Sequence, residues 1–420
     1  MQIFSSVIFI AMMILIMTDK MHRTTASILA ALLLIWGGVF TYKEAIHYID
    51  FDTIGVLIGM MIFVATIKKS GMFEYVAIKA AKKANGDPFK IMIIFTLMTA
   101  VLSAFLDNVT TVLLVAPMTI AISRMLEINP VPPLIMQAIS SNVGGTATLI
   151  GDPPNIMIGN EANLSFIDFI QNTGIAVILI LLAQILIMKI LYKNEMNETA
   201  KNRSAVMNLD EAKSIIDKKL MYKGISVMVC IVIGFLFHDK IGISSAAIAL
   251  MGGAVILAIG KQNVEEIVGD VEWTVILFFG SLFIVVGGLE KTGIIENLAN
   301  LITQSFKHSE IILMIMLLWA SAIISAFLDN IPFVATLIPI IISMKSHGIN
   351  VEPLWWAISL GACLGGNGTL IGASANVVIA GVGERHGYKI TFRDFTKVGF
   401  PFMILSIMIS TIFLLIKFGI

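Results

Sequence analysis

The chain is 420 residues long, 57% hydrophobic and only 13% charged, and its 28 basic and 28 acidic residues leave no net charge. A soluble protein carries about 25% charged residues, so a water-facing surface cannot be covered here; a soluble enzyme is excluded and a polytopic α-helical membrane protein is indicated. The even balance says nothing about a nucleic-acid partner, and none is expected; Cys230 and Cys363, the only cysteines, lie in apolar runs and support neither a disulfide framework nor a Cys metal site.

In chain order, the run Ile3 to Met17 has no basic residue before it and no small-residue cleavage site after it, which predicts a first span and not a cleaved leader. Further spans are predicted at roughly 24–41, 51–67, 131–158, 168–192, 224–239, 243–260, 272–289, 352–380 and 398–419, about ten in all. Two apolar stretches, 88–126 and 309–345, are each broken in the middle, by Asp107-Asn108 and by Asp329-Asn330. Polar breaks at that depth predict re-entrant helical hairpins, because non-helical backbone is tolerated inside a membrane where protein or a wet cavity surrounds it. The polar stretch 193–223 reads as a linker between two halves, 1–192 and 224–420. The charged stretches 68–90 and 290–308 read as surface-lying arms.

The halves repeat each other. Ser103–Asn108 (SAFLDN) recurs as Ser325–Asn330, Gly144–Asn155 (GGTATLIGDPPN) recurs as Gly365–Asn376 (GGNGTLIGASAN), and IFVATIKKSG at 62–71 resembles FIVVGGLEKTG at 283–293. The offset stays near 220 residues throughout. Five spans per half is an odd number, so the second half enters from the opposite face, an inverted repeat of the kind found in secondary transporters. With the N-terminus outside, Arg23, the Lys68–Lys90 cluster, Arg124, the linker bases, Lys261 and Arg385–Lys397 all fall inside, while the outside keeps few bases, among them Lys43, Lys291 and Lys307. The chain is therefore expected in the cell membrane, with both termini external and the 193–223 linker cytoplasmic.

Asp107, Asn108 and Thr110 at one break, and Asp329 and Asn330 at the other, combine a carboxylate, an amide oxygen and freed backbone carbonyls. A carboxylate at membrane depth costs about 2.5–3.5 kcal/mol by insertion scales and persists where it meets a cation or a wet cavity. Asp107, Asn108, Asp329 and Asn330 are thus candidate ligands for Na⁺, or the carboxylates for a proton. Helix capping alone is the competing account. The glycine-rich segments lie inside predicted spans four and nine and predict unwound waists between half-helices. Gly144, Gly145, Thr146, Thr148, Asp152 and Asn155 in the first, and Gly366, Asn367, Thr369 and Asn376 in the second, are candidates to complete the site with amide N–H groups and carbonyls. A glycine-mediated packing contact is the plainer reading. Asp152 has no acidic counterpart, Ala373 standing in its place, which makes it a candidate for selectivity or coupling, or only an N-cap for Pro153-Pro154. All six histidines fall in loops or span ends, so proton handling is left to carboxylates; Asp52 and Glu272 read as interfacial. An intramembrane aspartyl protease needs Tyr-Asp and Gly-x-Gly-Asp strings, and neither occurs.

The strings Asp107–Pro117 (DNVTTVLLVAP), Gly144–Asn155, Asp329–Pro339 (DNIPFVATLIP) and Gly361–Gly381 resemble the ion transporter superfamily, specifically its arsenite-permease/NhaD (ArsB/NhaD) branch and the P-protein type within it. The resemblance implies a scaffold, two hairpins entering from opposite faces, two broken helices, an elevator motion and a homodimer in the lipid bilayer. Asp-Asn tips are similar to those of NhaD-type antiporters, whereas the dicarboxylate branch carries Ser-Asn-Thr. The leading expectation is Na⁺/H⁺ exchange at Asp107 and Asp329. The alternatives are a cation- or proton-coupled permease for arsenite or a small carboxylate, and an anion conductance on the same scaffold. No cofactor is implied beyond Na⁺ or H⁺ as coupling ion.

Overall fold

A computed structural model describes residues 1–18, 20–199, 203–306 and 310–419. Lys307, His308 and the linker stretch 200–202 lie outside the described residues. Those described form helices and connecting turns without a strand. Among the described residues six helices are long and apolar enough to cross a membrane: Phe51–Lys68, Asn108–Met125, Phe166–Lys193, Lys218–His238, Trp273–Lys291 and Phe392–Phe418. Others are shorter than the sequence suggests. The helix expected at 24–41 is Arg23–Trp36, of 14 residues, or about 21 Å at 1.5 Å per residue. It stops because Gly38 turns the chain with φ of +77°, and a Thr41–Glu44 capping box then starts the short Tyr42–His47 helix.

Each broken stretch resolves into paired helices. Pro88–Ser103 and Asn108–Met125 flank the first tip; Glu310–Ser325 and Asn330–Ser346 flank the second. Val131–Gly145 and Pro153–Ala162 flank the first waist, while Glu352–Gly365, one 3-10 turn at Gly366–Gly368 and Ser374–Arg385 surround the second. Hairpin and waist are packed backbone to backbone. A Cβ on Gly144 would stand 2.1 Å from the Ala100 carbonyl oxygen, and one on Gly365 would stand 2.6 Å from Ala322 Cα. Only glycine permits that approach.

A second body is built from the Arg23–Trp36, Phe51–Lys68, Ser245–Gly260 and Trp273–Lys291 helices. Thr24 Oγ1 donates to the Thr274 carbonyl (2.8 Å), and Ser281 Oγ donates to Ser27 Oγ (2.7 Å). Gly59 lies against the Ala249 backbone, where a Cβ would come within 2.3 Å. At one end of the molecule Lys69 pairs with Glu266 (2.5 Å), Lys82 pairs with Glu211 (2.5 Å), and Ile216 N–H of the linker donates to the Ser70 carbonyl (2.9 Å). Elsewhere, Lys291 pairs with Glu44 (2.8 Å) and Asn160 Nδ2 donates to Asp50 Oδ2 (3.3 Å). Outside the spans, Lys291 and the Thr41 N–H hold the Glu44 carboxyl down at about 2.

Candidate functional site

The two tips and two waists converge on one buried polar cluster. Asn142, in the turn before Gly144, is its hub. Its Nδ2 donates to Asn367 Oδ1 (2.9 Å) and Asn376 Oδ1 (3.1 Å), and its Oδ1 accepts from Asn108 Nδ2 (3.2 Å). All four side chains are buried. Asn155 and Asn376 play matching parts. Asn155 Nδ2 lies 3.0–3.4 Å from the Gly145, Thr146 and Thr148 carbonyls, and Asn376 Nδ2 donates to Gly366 (2.8 Å) and Thr369 (3.0 Å). Each amide thus satisfies carbonyls that the unwound waist has freed. Asn155 Oδ1 in turn accepts from Ser359 Oγ (2.7 Å) and faces Cys363 Sγ at 3.6 Å.

The waist threonines bind the hairpins. Thr148 Oγ1 donates to the Ala104 carbonyl and Thr369 Oγ1 to the Ala326 carbonyl, while Thr146 Oγ1 donates back to Asn142 (2.7 Å). Ser103 and Ser325 close the same seams, onto the Ser141 and Ala362 carbonyls at 2.6 Å each. Gly144 and Gly145 serve close packing: Gly144 against Ala100, and Gly145 against Gly151, 2.5 Å from a built Cβ to the carbonyl oxygen. Gly366 likewise faces Gly372 and Ala373.

The carboxylates are not arranged as the sequence suggests. Asp107 caps the Asn108–Met125 helix, Oδ1 accepting from Thr110 N–H (2.8 Å) and Oδ2 from the Thr110 hydroxyl. Asp152 makes no cap bond with its side chain, although it precedes Pro153-Pro154. Its carboxylate instead accepts from Asn330 Nδ2 at 3.2 and 3.4 Å, across to the second hairpin. Asp107, Asn108, Asp152 and Asn330 line a cavity of about 20 Å³, room for one water-sized occupant, together with Glu272, Leu57, Met61 and Val275. Glu272, read from the sequence as interfacial, therefore faces the acidic tip.

Asp329 faces a neighbouring cleft of about 340 Å³. There Arg23 Nη1 meets Asp329 Oδ2 at 2.7 Å and donates to Ser374 Oγ, and the Ser374 hydroxyl donates to Asp329 Oδ2 at 2.7 Å. The four proposed Na⁺ ligands are thus split: three line the cavity and Asp329 is held by a guanidinium. Among the described residues no three His, Cys, Asp or Glu side chains are placed to share a metal ion. A hard cation at the first tip would rest on carboxylate oxygens with amide oxygens beside them. Sequence reasoning missed Arg23, Asn142, Glu272, Ser359 and Cys363. Of these, Asn142 and Cys363 carried a usable sign, since they hold equivalent places before the two glycine pairs.

Buried amide networks, two interrupted helices and carboxylates around a small cavity, set among membrane-length helices, define a multi-pass membrane transporter. The citrate transporter family profile matches residues 13–361, and the chain belongs to that family. It is 38% identical to an uncharacterized transporter of Mycobacterium bovis, over all of this chain and 99% of the relative. It is 33% identical to the P protein of Homo sapiens over 96% of this chain and 58% of that longer protein. The fold is similar to the crystal structure of the YdaH transporter of Alcanivorax borkumensis, with a TM-score of 0.62, 14% identity, and coverage of 93% and 89% of the two chains.

Proposed function

We propose that the chain is a secondary active transporter that moves a small carboxylate anion together with a cation or proton. The family match favours an anion over Na⁺/H⁺ exchange as the transported species. The observation that carries the coupling is the cavity shared by Asp107, Asp152 and Glu272. Two like charges about 5 Å apart at an effective dielectric of about 20 repel by roughly 3 kcal/mol. An ionised carboxylate approaching this group is therefore repelled until a cation or proton has neutralised part of it. Asp107 is the favoured cation ligand, because its carboxylate lines the cavity and is held there by the Thr110 N–H and hydroxyl. The waist amides around Asn142 are the neutral surface for the anion. Placement in the ArsB/NhaD branch, the inverted repeat with its re-entrant hairpins, an elevator displacement of the hairpin-and-waist body, a homodimer and a cytoplasmic linker belong to the same proposal.

Exchange of Na⁺ for H⁺ is the second reading, favoured by the acidity of the cavity itself. Proteoliposomes challenged with Na⁺, H⁺, Cl⁻, arsenite and citrate, each gradient imposed separately, distinguish the readings. The expected result is carboxylate uptake that requires an imposed cation or proton gradient and is lost in Asp107→Asn. Na⁺-driven proton flux without any anion would establish exchange, and ohmic chloride current without coupling would establish a conductance.

A further inference from the structure

Arg23 opens the Arg23–Trp36 helix, which Thr24 and Ser27 fasten to the Trp273–Lys291 helix. Asp329 and Ser374, its partners, belong to the other body, where the Thr369 hydroxyl and the Ala326 carbonyl join waist to hairpin. The ion pair therefore spans the boundary between the two bodies. It is partly shielded: the Arg23 side chain is 25% exposed and that of Asp329 11%, and the guanidinium carbon stands 5.3 Å from the centre of the Phe278 ring. Shielding makes such a pair strong while it is made and costly to leave open.

Two further facts distinguish it from a fixed structural bridge. Arg23 and Ser374 line both the 20 Å³ tip cavity and the 340 Å³ cleft, so the pair forms part of the wall between them. Glu272, at the head of the helix to which Arg23's own helix is fastened, lines the tip cavity with Arg23 and offers a second carboxylate on the same body. The device has no mirror image, because Ser245 opens the helix that corresponds to Arg23–Trp36 in the second half.

We propose that Arg23 is a switching tether: it holds the second tip through Asp329 and Ser374, walls the tip cavity from the cleft, and passes to Glu272 when that tip moves away. This makes Arg23 a positioning residue for transport and leaves Asp107 as the exchangeable cation site. The inference rests on the proposed movement of the hairpin body, but its test needs no substrate.

Ile331 is buried and lines the tip cavity behind the wall. An Ile331→Cys reporter in a Cys230→Ser background, reconstituted in nanodiscs, is labelled with a water-soluble maleimide and read by peptide mass spectrometry, which separates it from Cys363. Arg23→Gln and Asp329→Asn should each speed labelling about tenfold, the factor expected when one charge-assisted contact no longer biases a two-state equilibrium. Their combination should add nothing further. Arg23→Lys should stay within about threefold of the parent, and Glu272→Gln, which removes the alternative partner, should slow labelling. An unchanged rate in both Arg23→Gln and Asp329→Asn, or multiplied effects in the double variant, would overturn the tether. If Arg23→Gln fails to elute as folded protein, Asp329→Asn and Arg23→Lys decide the matter. Labelling that follows this pattern without gradient-driven uptake would keep the tether and remove the transport reading.

Discussion

Replacing Asn142 by Ala tests whether the amide hub joins the two halves. The side chain makes three buried hydrogen bonds, to Asn108 at 3.2 Å, Asn367 at 2.9 Å and Asn376 at 3.1 Å. Inter-helix bonds inside membrane proteins average about 0.6 kcal/mol and reach about 1.7 kcal/mol each, so loss of all three is expected to cost about 2–5 kcal/mol. Part of the cost lies in the orphaned oxygens of Asn367 and Asn376 and the orphaned amide of Asn108. Asn142→Asp is a sharper probe. Its ionised carboxylate would face two carbonyl oxygens that now receive N–H donors, so it should be less stable than Asn142→Ala at neutral pH and recover as the pH falls. The assay is apparent melting in detergent, followed by size-exclusion chromatography on heated samples. A drop of about 2–6 °C is expected for the alanine variant. Wild-type melting in Asn142→Ala, or an aspartate variant as stable as the parent, would refute the hub.

Three other expectations follow from the geometry. Asp152→Asn keeps the shape of the cavity and removes a charge; gradient-driven uptake should survive with altered ion selectivity, and equal loss for every ion would return Asp152 to a purely structural role. Gly144→Ala and Gly365→Ala should each destabilise by about 1–3 kcal/mol, because the added methyl meets the Ala100 or Ala322 backbone and not a movable side chain; parallel melting of the two variants checks this. Lys291 holds the Glu44 carboxyl at about 2 in the folded state, below its ordinary value of 4.5. A depressed carboxyl stabilises above the unfolded value and loses that effect as pH falls from about 4.5 towards 2, so Glu44→Gln should leave the pH profile of uptake between pH 5 and 8 unchanged.

The features legible in the sequence were those that local chemistry dictates. Asp107-Asn108 breaks an apolar run because a carboxylate caps a helix well and continues one poorly, and both tips do start helices at Asn108 and Asn330. Gly144 and Gly365 marked places where two backbones meet, and the hydroxyls of Thr148 and Thr369 follow the repeat down to the same hairpin carbonyl. What was not legible depended on contacts between distant segments. Asp152 has every local mark of a cap, yet its carboxylate turns to Asn330, 178 positions away. Arg23 reads as one more base beside a span end, because nothing near it in sequence says that Asp329 lies 306 positions on and within 2.7 Å. Glu272 reads as interfacial from its position before a span, and nothing near it in sequence says that it shares a cavity with Asp107 and Asn330.

The wall of the tip cavity contributed by Leu57, Met61 and Val275 has a mechanical consequence. These are apolar side chains without a hydrogen-bond donor, so the proposed displacement past them would exchange one set of weak dispersion contacts for another. In that proposal friction between the bodies would be concentrated at a few polar rivets, and the speed of the stroke would become something that a single codon can tune.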